Sequence, residues 1–186
     1  KGVKVHAYDP AGKLNISANY LRKPGEIAGY APVDSVFLIG PFALDENVTA
    51  AAAEIRQWCS EGGKVVVLEQ NPGPYSANIL GTGINVVRKT QPYWSRWATN
   101  MTKHADRADI CVPNHPMFKD INEADMSRWN IDTYLTHTFL TFTEDGAGNR
   151  NGQVLSRIGN GLLPDELMPI EYDFLDSGYS LIAFEL

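Results

Sequence analysis

The stretch from Ser35 to Gln70 limits what this chain can fold into more than any other. It opens with Ser35-Val-Phe-Leu-Ile-Gly40, an uninterrupted apolar run closed by Gly-Pro, which reads as a strand buried on both faces. A helix is predicted next. Asp45 or Asn47 can cap its start, and Val48, Ala51, Ala52, Ile55, Trp58 and Cys59 recur at i, i+3, i+4 and i+7, which gives one apolar stripe to bury. Gly62-Gly63 stops this helix, because a glycine just past the last turn adopts the left-handed backbone at no steric cost. Lys64-Val-Val-Val-Leu-Glu-Gln70 then repeats the buried-strand pattern and ends at Asn71-Pro72-Gly73-Pro74. Strand, helix and strand joined by short turns make a βαβ unit, and a parallel pair with its crossover helix commits the chain to an α/β domain.

The flanking segments extend that expectation. Val3-Lys-Val-His-Ala-Tyr8 alternates as a strand does, and Asn85-Val-Val-Arg-Lys89 is a further short one. Several such units predict a three-layer, doubly wound, mostly parallel sheet of the flavodoxin-like kind. From Gln91 to Asn122 the chain is rich in Pro, Asn, His and aromatics and reads as a long excursion from the sheet, followed by a short helix over Glu123-Ala-Asp-Met-Ser-Arg-Trp129. Strands resume at Val154–Ile158, Met168–Tyr172 and Ser180–Phe184, the last two expected to form an antiparallel hairpin around Leu175-Asp-Ser-Gly178. No internal repeat or low-complexity linker interrupts the 186 residues, so a single domain spanning residues 1–186 is predicted.

Charge narrows the function classes. With 16 Lys and Arg against 22 Asp and Glu the net charge is −6, and the longest basic cluster is Arg22-Lys23, so the clustered cations that neutralise phosphates are missing and nucleic acid is an unsuitable partner. No stretch reaches the ~18 consecutive apolar residues of a membrane-spanning helix. Lys1 leads straight into a strand pattern without a basic-then-apolar leader, which implies a mature or excised fragment. Cys59 and Cys111 are expected to be unpaired, buried small hydrophobes. Asn-x-Ser/Thr at Asn15, Asn47 and Asn100 is near chance in an Asn-rich chain and carries no information on location.

The order of elements from Asp34 to Gln70 resembles the class I glutamine amidotransferase-like fold, in the form attached to glycoside hydrolases of the β-galactosidase type and seen also in ThuA-like proteins. Asn114-His-Pro-Met-Phe-Lys-Asp-Ile121 with Ala124-Asp-Met-Ser-Arg-Trp129 is similar to a His-Pro-containing passage of those domains, and Ile170 to Leu186 is similar to their closing hairpin. In active amidotransferases the strand after the Gly-ended helix delivers a cysteine on a strained elbow, where a helix N-terminus favours the thiolate. Here Glu69, Gln70 and Asn71 hold that place. Cys59 lies on the preceding helix, Cys111 in the irregular middle, and no histidine follows His137, so the family's late His-x-Glu pair is missing too. No catalytic residue is therefore assigned. The resemblance implies a non-catalytic accessory domain of a carbohydrate-active protein, packed against other domains of the same polypeptide or against a second copy, in a periplasmic or extracytoplasmic setting.

A second reading places a carbohydrate or small-ligand site, binding or enzymatic as in ThuA-like proteins, at the carboxyl ends of the central strands. Its residues would be Pro41, Glu69, Gln70 and Asn71, with Tyr93 and Trp94 from the aromatic cluster that includes Tyr75 and Trp97. Glu69 and Gln70 equally suit a cap on loop amides, and the aromatics equally suit core packing or a protein interface. Glu69 alone is not a glycosidase site, since two carboxylates must converge on the scissile bond. His104, Asp106, Asp109 and His115 have the chemistry of metal ligands, but their spacing matches no helical ligand pattern, and His115 before Pro116 is better suited to orienting the chain by a side-chain hydrogen bond. No phosphate-cradling glycine loop or Gly-x-Ser-x-Gly elbow occurs, so no cofactor and no metal are expected.

Overall fold

The structure is a computed structural model that describes residues 2–71, 80, 83–88, 108–122, 124–125, 138–142, 152–158 and 179–184. The chain divides into two compact units, one holding the described residues within 1–86 together with Phe142, the other those within 87–141 and 150–185.

The first unit is a mixed α/β structure built on four parallel strands: β1 (Lys4–Tyr8), β2 (Asn19–Tyr20), β3 (Ser35–Ile39) and β4 (Lys64–Val67), in the order β2-β1-β3-β4. The predicted βαβ unit is present, with Phe37 opposite Val65 and Ile39 opposite Val67. Its helix is in two pieces, α1 (Glu46–Ala50) and α2 (Ala52–Ser60), which meet at Ala51, whose φ of −97° and ψ of 9° leave helical geometry. Of the two predicted caps Asp45 is the one used, its Oδ1 accepting from the amides of Asn47 (2.9 Å) and Val48 (3.0 Å). Val48, Ala51, Ala52, Ile55 and Trp58 are buried, as the stripe predicts, and Cys59 is half-buried.

The helix stop is explained in full by its two glycines. Gly62 takes φ +99° and donates to the Cys59 carbonyl (2.9 Å), while Gly63 donates to the Trp58 carbonyl (3.2 Å), the paired bonds of a Schellman turn. Gly63 has a second reason to be glycine: a Cβ there would run into the Trp58 indole ring. That indole is 2 % exposed and donates from Nε1 to the Tyr30 carbonyl at 2.9 Å, so its one polar atom is satisfied inside the core.

Register explains where the core sits. Tyr8, Phe37, Ile39, Val65 and Val67 share one face of the sheet and pack with Ile27, Val48, Ile55 and Trp58 from the helices and from the 3₁₀ segment Pro24–Gly29. Each large side chain fully removed from water there contributes about 1.5–3 kcal/mol. The other face carries Val5, Ala7, Val36, Leu38 and Val66, of which Ala7 is buried and the rest half-buried. The burial expected on both faces of β3 is thus complete on one and partial on the other.

The second sheet comprises β5 (Ile84–Arg88), β6 (Ala108–Ile110), β7 (Thr138–Phe142), β8 (Gly152–Ile158) and β9 (Tyr179–Phe184), in the order β5-β7-β9-β8-β6. Its described registers, β6 with β8, β7 with β9 and β8 with β9, are antiparallel. The parallel character expected of most of the sheet therefore belongs to the four-stranded sheet, and the antiparallel character expected of the C-terminal strands to the five-stranded one. β9 has the predicted position and pairs with β8, whereas Met168–Tyr172, its expected hairpin partner, lies outside the described residues, as does most of the Glu123–Trp129 helix. What is described of that segment is a turn with a reciprocal pair of bonds, Ala124 amide to Asn122 Oδ1 and Asn122 amide to Asp125 Oδ2, both 2.8 Å. Among the described residues no helix is long and apolar enough to cross a membrane.

Candidate functional site

The strand order reverses direction between β1 and β3: β2 lies on one side of β1, and β3 and β4 on the other. In open parallel sheets ligands bind outside the carboxyl ends of the strands at such a reversal. Here those ends are Tyr8-Asp9 after β1, Gly40-Pro41-Phe42 after β3 and Leu68-Glu69-Gln70-Asn71 after β4.

Gly40 lets the first two come together. Its amide donates to the Tyr8 carbonyl at 2.9 Å, and a Cβ at this position would lie 3.1 Å from Asp9 Oδ1 and 3.2 Å from the Tyr8 carbonyl oxygen, a spacing too tight for most side chains. Asp9 begins a turn with Pro10 second and Gly12 fourth, closed by the Gly12 amide on the Asp9 carbonyl (3.1 Å), and its Oδ2 accepts from the Leu14 amide (2.7 Å). The other carboxylate oxygen, Oδ1, is buried without a hydrogen-bond partner.

Tyr8 faces the helix start. Its hydroxyl donates to Asp45 Oδ2 (2.7 Å) and accepts from Asn47 Nδ2 (3.1 Å). Burial first, and then the bond to the Asp45 carboxylate, push its pKa up to about 12, so it is a neutral phenol at any physiological pH. It ties β1 to the cap of α1 and keeps its proton at neutral pH.

The third strand end is clamped from within. Gln70 is 4 % exposed. Its Nε2 donates to the carbonyls of Gly40 (2.9 Å) and Leu68 (2.8 Å), and its Oε1 accepts from the Leu44 amide (2.9 Å), so one amide side chain fixes both ends of the turn after β3. The Phe42 amide donates to the Glu69 carbonyl at 2.8 Å inside that clamp. Phe42 itself has φ +60°, a region that bulky side chains occupy at a cost of about 1–3 kcal/mol, and its ring is 47 % exposed.

Of the residues predicted for a strand-end ligand site, Pro41 is half-buried, Glu69 and Asn71 are exposed, and Gln70 is enclosed with all three of its polar bonds made to the protein. Tyr93 and Trp94 lie outside the described residues, with Tyr75 and Trp97. The sequence reading missed Tyr8, Asp9 and Phe42. A tyrosine and aspartate closing a strand just before a proline is a visible signal for the first two, while nothing in Gly-Pro-Phe announces a left-handed phenylalanine.

The remaining candidates resolve individually. His115 does orient its chain: Nδ1 accepts from the Met117 amide (3.2 Å) and caps the 3₁₀ turn Pro116–Phe118. His104 and Asp106 lie outside the described residues and Asp109 is on β6; among the described residues no group of three or more His, Cys, Asp or Glu is arranged to hold a metal. Both cysteines are thiols rather than half-cystines. Burial raises the Cys59 pKa, and Cys111 is exposed, where burial was expected, because it falls just past the end of β6. No family of known proteins, no curated protein and no solved structure matches this chain.

Proposed function

We propose that this chain is a non-catalytic, amidotransferase-like α/β domain of a carbohydrate-active protein, whose work is packing against neighbouring domains or a second copy. The observation that carries the proposal is the Gln70 clamp. At the strand end where an active amidotransferase presents its nucleophile, this chain has a buried amide bonded to three backbone groups. Cys59, on α2, has a raised pKa, opposite to what a thiolate nucleophile needs. The order β2-β1-β3-β4 is that of the first four strands of a flavodoxin-like sheet, and the apolar centre of its second face, Val5, Ala7, Val36, Leu38 and Val66, is the composition of one covered by helices on both sides. These support the three-layer reading, with the extracytoplasmic setting as its companion. Light scattering on this chain, and on its parent polypeptide with and without it, is the test: assembly that depends on the domain is expected, and identical assembly in every case would sink the proposal.

One feature favours the second reading, a carbohydrate site at the β1/β3 reversal. An exposed phenylalanine held in a costly backbone geometry, its amide bonded to the Glu69 carbonyl, is a surface on which a sugar ring can stack. Titration with simple glycosides then changes the intrinsic fluorescence saturably, and Phe42→Ala and Glu69→Ala each weaken the binding. Unchanged fluorescence up to high millimolar sugar would exclude it.

A further inference from the structure

His6 stands in the middle of β1, 4 % exposed, on the same face as Tyr8 and Phe37. Its ring packs against Tyr30 with centroids 4.1 Å apart, and its Nδ1 lies 3.2 Å from Nδ2 of Asn19, its register partner on β2. With the Asn19 amide donating, Nδ1 is the acceptor and the ring proton sits on Nε2, which is buried and has no partner. A neutral imidazole is therefore already short of one bond. An imidazolium would be worse off, since its second N–H would face the Asn19 donor and its charge would meet a site that burial and the Lys4 ammonium both make hostile to a cation. The groups facing the ring are Lys4 on its own strand, the neutral Asn19 amide on β2, the Tyr30 phenol ring and apolar Phe37 on β3.

The two sides of β1 are unequal. Towards β3 it is paired over five positions, from Lys4 with Ser35 to Tyr8 with Ile39. Towards β2 it has two register pairs and the Leu21 amide bond to the Ala7 carbonyl (2.8 Å), and both residues of β2 are exposed. The segment before β2 is also closed on itself, with the Tyr20 hydroxyl donating to the carbonyls of Leu14 (3.2 Å) and Ile16 (3.3 Å). Water reaches the imidazole at least cost by lifting β2, not by parting β1 from β3.

We propose that His6 is an acid-sensitive latch that holds β2 against β1 and lets it go when the imidazole takes up a proton. The sign follows from linkage. The folded-state pKa lies below that of the released state, about 6.5, so the latch holds in full above that value and loosens as the pH falls through it towards the lower, folded-state pKa. At pH 5.5 the open fraction rises by up to about tenfold over neutral pH. Release bares the hydrogen-bonding edge of β1, which then becomes open to another strand.

The test is amide exchange on the intact chain, corrected for intrinsic rates, at pH 7.5 and 5.5. The Leu21 amide is expected to lose protection by up to about tenfold while the Leu68 amide, bonded to the Ile39 carbonyl, keeps its own. In His6→Gln the Leu21 loss disappears, and in Lys4→Met, which removes the repelling charge from an exposed position, it shrinks. Should His6→Gln fail to fold, the Lys4→Met comparison and a direct NMR titration of His6 carry the test. Equal loss at Leu21 and Leu68, no loss at all, or a His6 that titrates at or above the ordinary histidine value would each overturn the latch.

Discussion

The two flanks of the parallel sheet handle buried polarity in opposite ways. On the β3–β4 flank the polar side chains that organise the core are matched: Gln70 makes three bonds to backbone, the Trp58 indole N–H donates to the Tyr30 carbonyl, and Asp45 caps α1 while accepting from the Tyr8 hydroxyl. On β1 and the turn after it sit His6 Nε2 and Asp9 Oδ1, the buried side-chain atoms without a partner among the described residues. A buried group left unmatched costs about 1–3 kcal/mol, so the first flank is built to stay and the second stands close to a change of state. The strand end closed by the Gln70 clamp is on the flank built to stay.

Substitutions on the matched flank sharpen this contrast most. Trp58→Ala removes a fully enclosed indole and is expected to cost about 3–5 kcal/mol in urea unfolding. Gly63→Ala, which drives a methyl into that indole, is expected to cost about 1–3 kcal/mol. Gln70→Leu keeps the bulk and strands the Leu44 amide with the Gly40 and Leu68 carbonyls, for a loss of roughly 1–3 kcal/mol. A loss below about 0.5 kcal/mol would make the clamp incidental and erase the difference between the flanks.

Asp45→Ala tests the tie between them. It removes a helix cap at a cost of about 1 kcal/mol and also the carboxylate that helps hold Tyr8 neutral, so Tyr8 should titrate below about 12. In the unaltered chain the raised Tyr8 pKa means that its stabilising share is complete below pH 10 and is lost as the pH rises through about 12; the variant should lose less over that range. The smallest effect has the opposite sign. Phe42→Gly relieves a left-handed phenylalanine and should stabilise by up to about 1 kcal/mol, while abolishing any sugar binding at the β1/β3 reversal.

What could be read in advance follows the same division. The βαβ unit was legible because each of its elements is locally over-specified: the apolar runs of β3 and β4, the Asp45 cap, the helical stripe and the paired glycines all agree. The helix break at Ala51 was not, since alanine continues a helix by preference and only the packing around it departs from that. Strands β5, β8 and β9 were legible, but their membership of one antiparallel sheet was not, because its strands pair across long separations, as Ala108 does with Ile158, and local pattern holds no register of that kind. Glu69 and Gln70 were found at the right strand end, but adjacent residues point to opposite surroundings, and only the fold assigns Gln70 to the interior and Glu69 to the exterior. The unmatched nitrogen of His6 has no sequence signature, because burial of a histidine in an alternating strand depends on what lies across from it.

The claim that the β4 strand end is architecture rather than chemistry is tested most directly by ammonia release from glutamine, measured on the purified chain beside its Cys59→Ala variant. The account predicts no release above background from either protein; release by the unaltered chain that disappears with Cys59→Ala would contradict it.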